Sequence, residues 1–413
     1  MKVWIVSVGE PLPSDGEFVR LRRMGNLATH LSKNSSNSVE WFSASFDHYK
    51  KVQRVQKNTD INISDNYILH LLRVNGYKRN ISPARVLHHY VTANKIYRKM
   101  EKHVEKPDVI IASMEPLEVA DSAVKFAKKH NIPVIIDVRD LWPEIYYEVI
   151  PKKLHCLLDI YVNSCKRVLK RIMKGASGIV GLSEAFLEYG LKYAGRDRKN
   201  QDRVIPIAYP NYDYSKYRGK FELIKDSYGI KEGDFLVSFL GNFGNQFQFE
   251  EIIEAAKLLS EYENIKFVLC GVGVQMEKIK MLATKNIIFT GWIEKEEIMS
   301  ITANSSIGIA PYIDSMNYRM NTPNKFGEYL SASLPIIISV SGVMEDLLNK
   351  NSCGKKYSCG KELADIILEY YNNSDKLKSQ SVNARELYEN MFNGDNVNQV
   401  FENYLITIAK GEN

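Results

Sequence analysis

The 413-residue chain has little of what most often signals a reaction class. Its five cysteines are scattered, and no second Cys or His pair accompanies Cys353 and Cys359, so no zinc-ribbon spacing exists and reduced thiols are expected. The eight histidines are dispersed, with His88-His89 in what reads as a basic, aromatic loop, so neither a catalytic triad nor a metal site finds support. No G-x-G-x-x-G or Walker loop is present, which removes nicotinamide and ATP chemistry. No apolar run approaches the ~18 residues of a membrane-spanning helix. There is no low-complexity tract, and no short-period repeat. A net charge of +6 is too small for a nucleic-acid binder without a concentrated basic groove. The opening "MKVWIVSVGEPLP" lacks a small-residue cleavage site and reads as a first strand rather than a signal peptide, so a cytoplasmic protein is expected.

What is present is a rhythm. The chain is 45% hydrophobic and 25% charged, and too long for one ordinary core. Apolar runs alternate with helical patterns. Strands are expected at Val3–Val8, Val39–Ser45, Ile68–Val74, Val109–Ser113, Val134–Val138 and Ile179–Leu182, with helices at Arg20–Ser32 and Leu117–His130. The polar, proline-bearing stretch 196–219 reads as a linker with one brief strand, Val204–Ala208. The rhythm then restarts with strands at Phe235–Leu240, Ile265–Cys270, Ile287–Thr290, Ile307–Pro311 and Ile336–Val340. Their expected helices are Glu250–Tyr262, Gln275–Thr284, Glu294–Ala303 and Lys325–Ala332. Two doubly wound α/β domains facing across a cleft follow, 1–205 and 206–396, with a final helix, 397–413, returning to the first.

Ligands in such sheets bind beyond the strand carboxyl ends. After the first strand stand Gly9, Glu10, Asp15, Gly16 and Glu17. Asp15 or Glu17 could simply begin the next helix, and Arg20 and Arg23, one turn apart, could meet a phosphate, a carboxylate or only water. "IIDVRDLWPE" runs an apolar strand into Arg139, Asp140 and Glu144, charges that must face a cleft or pair with each other. Gly241-Asn242-Phe243-Gly244 precedes a helix, so it either lets backbone amides approach an anion or is a plain tight turn; Gly271-Val272-Gly273 is a similar, weaker case. Lys152–Lys174 sets seven basic residues against Asp159 at helical spacing. It is either a core-facing amphipathic helix or one that docks on anionic lipid.

These segments together, with "DVRDLWPE", "GNFGNQFQFEEIIEAA", "VLCGVG", "IIFTGWIEKEEI", "IGIAPY" and above all "PNKFGEYLSASLPIII", resemble bacterial glycosyltransferases of family 4, in the surface-polysaccharide branch. The resemblance spans nearly the whole chain. It implies the GT-B fold and metal-independent, retaining transfer of a hexosyl or N-acetylhexosaminyl group from a nucleotide-diphosphate sugar. The acceptor would be a saccharide or a polyprenyl-diphosphate-linked saccharide, at or near an anionic inner-leaflet surface, with no cofactor. It implies that Glu328 holds the donor ribose and that Lys325 faces the diphosphate beside the backbone of Gly241, Asn242, Phe243 and Gly244. Trp292 and Ile293 would flank the base, with Gly271, Gly273, Arg319, Asn324 and Phe326 completing the donor set. Asp140, with Arg139, would stand near the reacting sugar, with Gly9, Glu10, Gly16, Glu17 and Glu144 on the acceptor side. Two positions depart from the family pattern. Met320 replaces a second glutamate, and Asn242 with Phe247 or Gln248 replace a basic pair, which leaves Lys325 and Arg319 to neutralise phosphate. A GT-B sugar-nucleotide epimerase and a non-enzymatic sugar-binding protein are the alternatives.

Overall fold

A computed structural model describes residues 1–16, 19–220, 224 and 228–411. The chain forms two compact units, Met1–Ala208 with Asp395–Asn413, and Tyr209–Gly394.

The first unit is built on eight strands: β1 Lys2–Val6, β2 Ser38–Ala44, β3 Thr59–Ser64, β4 Tyr67–Leu72, β5 Val109–Ser113, β6 Val134–Val138, β7 Gly178–Gly181 and β8 Arg203–Val204. Their order is β3-β4-β2-β1-β5-β6-β7-β8. All neighbours are parallel except β3 with β4. Strands such as KVWIV and VIIAS are buried along nearly their whole length because helices cover both faces. On one face Val3, Ile5, Trp41 and Leu69 pack with Met24 and Leu27 of the Arg23–Ser32 helix and with Phe401, Leu405 and Ile408 of the Gly394–Ala409 helix. On the other, Trp4 meets Phe42 and Phe126.

Several expectations are corrected here. β3, with its alternating half-exposed pattern, is an edge strand whose polar sequence hides it. His88 and His89 lie not in a loop but on the Pro83–Lys102 helix, started by Ser82, whose hydroxyl accepts from the Arg85 amide at 3.3 Å. Much of the presumed linker belongs to the first unit. Arg203-Val204 completes the sheet, and the fully buried Asp202 takes the Ile179 amide at 3.0 Å and Arg196 Nη2 at 2.8 Å.

The second unit has six parallel strands: β9 Phe235–Leu240, β10 Ile265–Cys270, β11 Ile287–Gly291, β12 Ile307–Ala310, β13 Ile336–Ile338 and β14 Gly354–Lys356, in the order β11-β10-β9-β12-β13-β14. Beyond β13 the helices Val343–Asn351, Gly360–Asn372 and Ser374–Leu387 complete its shell. Strand order reverses between β1 and β5 in one sheet and between β9 and β12 in the other, so the carboxyl ends of those strands are where a crevice must open. Among the described residues no helix is long and apolar enough to cross a membrane.

Candidate active-site elements at the strand ends

In the first unit the strand ends carry a buried charge cluster. Arg139, just past β6, donates from Nη1 to Glu10 Oε1 and from Nη2 to Ser113 Oγ at 2.8 Å, and its Nε stands 3.6 Å from Asp137. Asp137 is fully buried and accepts Arg23 Nε at 3.0 and 2.9 Å and Arg23 Nη2 at 2.9 Å. Of the two basic residues expected on one helix face, Arg23 therefore meets a carboxylate, while Arg20 precedes the helix, which begins at Arg23. Arg139 pairs with Glu10 across the sheet; burial opposes its charge, but Glu10, Glu115 and Asp137 outweigh that and hold its pKa above the ordinary value. Arg139 is thus the hub that positions this cluster.

Glu115 is the residue that sequence reasoning passed over. It follows β5 as Arg139 follows β6, so the same strand-end rule would have found it. Its Oε2 is 3.7 Å from Arg139 Nη2, and its Oε1 is buried with no hydrogen-bond partner. Burial pushes its carboxyl up to about 8; the Arg139 charge opposes this and Asp140 adds to it. With Glu115 protonated, the guanidiniums of Arg23 and Arg139 balance the carboxylates of Asp137 and Glu10. A neutral acid beside a half-buried Asp140 can donate a proton or a hydrogen bond.

Other first-unit expectations fare differently. Asp15 starts no long helix; it ends a short turn and grips Arg54 Nη2 at 2.7 Å. Gly9 and Gly16 hold φ of 83° and 145°, in the region glycine tolerates. Glu17 lies outside the described residues. Glu144 accepts from the hydroxyls of Tyr189 and Tyr193 and lies 3.3 Å from Lys166, so it is held as a structural anion.

In the second unit, Lys325 and Glu328 lie on the Asn324–Ser331 helix, which is fastened to the end of β9. Both backbone polar groups of Leu240 are held from it: the N–H by Tyr329 Oη at 3.1 Å, the carbonyl by Lys325 Nζ. The Tyr329 hydroxyl also donates to Ile309 O at 3.2 Å, bridging β9 and β12 where strand order reverses. The Lys325 ammonium rests 4.7 Å above the Phe239 ring and 5.1 Å above the Phe247 ring. Phe247 and Phe239 are therefore the aromatic platform under this lysine. Glu328 is buried past the helix's first turn, so it is not a dipole-capping acid. In the loop before this helix, Asn321 Oδ1 and Thr322 Oγ1 are buried without partners, a second feature the sequence did not suggest.

The glycine loops are packed against each other. A side chain at Gly241, where φ is +147°, would collide with Lys325 Nζ, and one at Gly271 with Gly241 O. One at Gly273 would strike Asn242 and Phe243. The Gly241 and Phe243 amides are already bonded to Cys270 O at 2.9 Å and Val272 O at 3.0 Å. Among the described residues this leaves the Asn242 and Gly244 amides without an intramolecular acceptor. The helix that follows, Glu250–Leu258, starts well beyond the loop and carries Glu250 and Glu251 in its first turn, so the expected anion-binding dipole is not supplied from there. The side chains of Phe243, Ile293 and Phe326 are core, with Phe243 stacked on Phe249 at 4.9 Å; only their backbones can serve a ligand. Trp292 is 77% exposed. Asn324 is exposed, and Arg319 is clamped by Asp314 at 2.6 and 2.5 Å on the open surface.

Residues 220–387 match the family model described as Glycosyl transferases group 1. That segment holds β9, Lys325 and Glu328. No curated protein sequence matches the chain. Among solved structures it resembles sucrose-phosphate synthase from Thermosynechococcus elongatus, at TM-score 0.70 and 14% identity over 99% of each chain. It also resembles Anabaena HepE in complex with UDP-glucose, at TM-score 0.62 and 14% identity over 98% of this chain and 100% of that one. A third is WaaG, a glycosyltransferase involved in lipopolysaccharide biosynthesis, at TM-score 0.64 and 14% identity over 98% and 99%. Such distant likeness speaks to architecture: two Rossmann-like units with parallel sheets, the GT-B fold.

Proposed function

We propose that the protein is a retaining glycosyltransferase that uses a nucleotide-diphosphate sugar, UDP-linked in the first instance. The observation that carries this is Lys325 at the carboxyl end of β9 with Glu328 one helical turn on, buried, inside the group 1 segment. A carboxylate there suits a ribose diol, accepting both hydroxyls. Lys325 has three donor hydrogens, so it can keep Leu240 O and still face a diphosphate. The Asn242 and Gly244 amides supply further donors to the same anion. UDP is favoured because the HepE structure is a complex with UDP-glucose.

In the transfer, the anomeric carbon–phosphate oxygen bond breaks, the acceptor hydroxyl oxygen bonds to that carbon, and the hydroxyl proton leaves to the diphosphate or a nearby base. Lys325 and the loop amides stabilise the leaving charge without a metal. Asp140 and Glu115, at the first unit's strand ends, orient the acceptor. The acceptor class we favour is a saccharide or lipid-linked saccharide of surface-polysaccharide synthesis, handled on the cytoplasmic face of a membrane; the involvement of WaaG in lipopolysaccharide biosynthesis supports it. Incubating the protein with UDP-sugars and a panel of phosphosugar, free saccharide and polyprenyl-diphosphate saccharide acceptors tests the reading. Transfer to the lipid-linked class supports it in full, and transfer to a phosphosugar would move the acceptor assignment. Donor interconversion with no transfer would replace it by the epimerase reading.

A further inference from the structure

We propose that Glu40, His70 and His103 form a binding site for a zinc-type divalent cation in the first unit. They come from β2, β4 and the residue that ends the Pro83–Lys102 helix. Glu40 and His70 are buried, and a carboxylate buried in an apolar strand is costly without a cationic partner. His70 Nε2 lies 2.8 Å from Glu40 Oε2, and His103 Nδ1 lies 3.4 Å from that same oxygen. The ligand atoms of all three fall within 4.8 Å of one another. A tetrahedral ion with bonds near 2.0–2.2 Å needs its ligand atoms about 3.4 Å apart, so side-chain shifts of roughly 1 Å would seat it.

The surroundings fit a ligand set. His70 Nδ1 stands 2.8 Å from Asp60 Oδ1, which orients the ring and leaves Nε2 toward the ion, as an outer carboxylate does for metal-bound imidazoles. Lys2 Nζ sits 3.0 Å from Glu40 Oε1 and so leaves free the oxygen that both histidines face. Two imidazoles and one carboxylate form a borderline donor set, suited to zinc, cobalt or nickel rather than magnesium or calcium. His103 and Asp60 have side chains 22% and 47% exposed, which opens an entry path and leaves a fourth position for water. The ion would tie together three segments far apart in sequence, and would take no part in sugar transfer.

The test uses the full chain carrying Cys156→Ser and Cys359→Ser, because those thiols are exposed and would compete. Metal-free protein is titrated with Co²⁺ and then Zn²⁺. We expect one Co²⁺ per chain with the strong visible absorption of a four-coordinate site, displacement by Zn²⁺, and a higher melting temperature with Zn²⁺ bound. His103→Ala should weaken Zn²⁺ binding by more than tenfold and Asp60→Asn by about tenfold. The metal-free variants should keep the parent's circular dichroism and melting temperature, which shows that the first unit folds, and unchanged UDP affinity keeps this result separate from the transferase reading. Absence of the Co²⁺ spectrum, or unaltered Zn²⁺ affinity in His103→Ala, would overturn the proposal and leave the three residues as a hydrogen-bonded charge cluster.

Discussion

At the residue scale, two carboxylates offer the sharpest tests of the proposal. If Glu328 grips a ribose, Glu328→Gln loses a charge-assisted pair of roughly 1.5–3 kcal/mol, a ten- to hundredfold drop in UDP affinity with little change in melting temperature. Lys325→Ala should weaken UDP binding far more than uridine binding. Calorimetric titration of both ligands checks each, and unchanged UDP affinity in Glu328→Gln would return that residue to a structural role. Glu115 is tested by pH. Its carboxyl is raised from 4.5 to about 8 in the fold, so below 4.5 both folded and unfolded states hold the proton and its contribution is fully present. Between 4.5 and 8 the unfolded chain releases it first, so stability falls as pH rises. Glu115→Gln should flatten that part of the curve of urea midpoint against pH; an unaltered slope would show that Glu115 is ionised in the fold.

At the element scale, the Gly241 loop and the Asn324–Ser331 helix act as one piece. Gly241→Ala places a methyl against the Lys325 ammonium and demands a positive φ, so it should cost more than about 1 kcal/mol and weaken UDP binding as well. A variant that melts like the parent and binds UDP equally well would separate the two elements. The His155–Gly175 helix shows a different economy. It buries Leu158, Val162, Leu169, Ile172 and Met173, and Arg171 grips Asp121 at 2.7 and 2.8 Å. Its exposed apolar groups are Leu157 and Ile160, next to the exposed Lys152 and Lys153. The lipid-docking reading therefore shifts toward its amino-terminal end. Leu157→Glu with Ile160→Glu should abolish co-sedimentation with acidic liposomes at low salt while leaving UDP affinity intact. Failure of the parent protein to sediment would dismiss the reading.

At the scale of the whole molecule, the last helix closes the first unit. Phe401 is buried there beneath the guanidinium of Arg23, 5.0 Å from its ring. Phe401→Ala should cost about 3–5 kcal/mol of first-unit stability. Calorimetry should then show that unit melting earlier while UDP still binds the other. A single transition lowered as a block would show that the two units unfold together.

The strands were legible because parallel strands buried on both faces are continuous apolar runs, as in FLVSFL and IKFVLC, and such runs need no partner to be recognised. The glycines after β9 and β10 and the charges after β6 were legible because polar or flexible residues at the end of an apolar strand break its pattern. The edge strand β3 was not, since its half-exposed alternation becomes a strand only when β4 offers hydrogen bonds. Nor could the sequence tell that Arg139 pairs with Glu10, or that Lys325 and Tyr329 hold the carbonyl and the N–H of the same residue, Leu240. Glu115 was within reach by position, but its raised pKa follows from burial among groups brought together by β5 and β6. Local pattern determined the order of strands and helices along the chain. Only the packed sheets decided which distant charges share a desolvated site, because the energies of buried charges depend on neighbours that sequence separation does not encode.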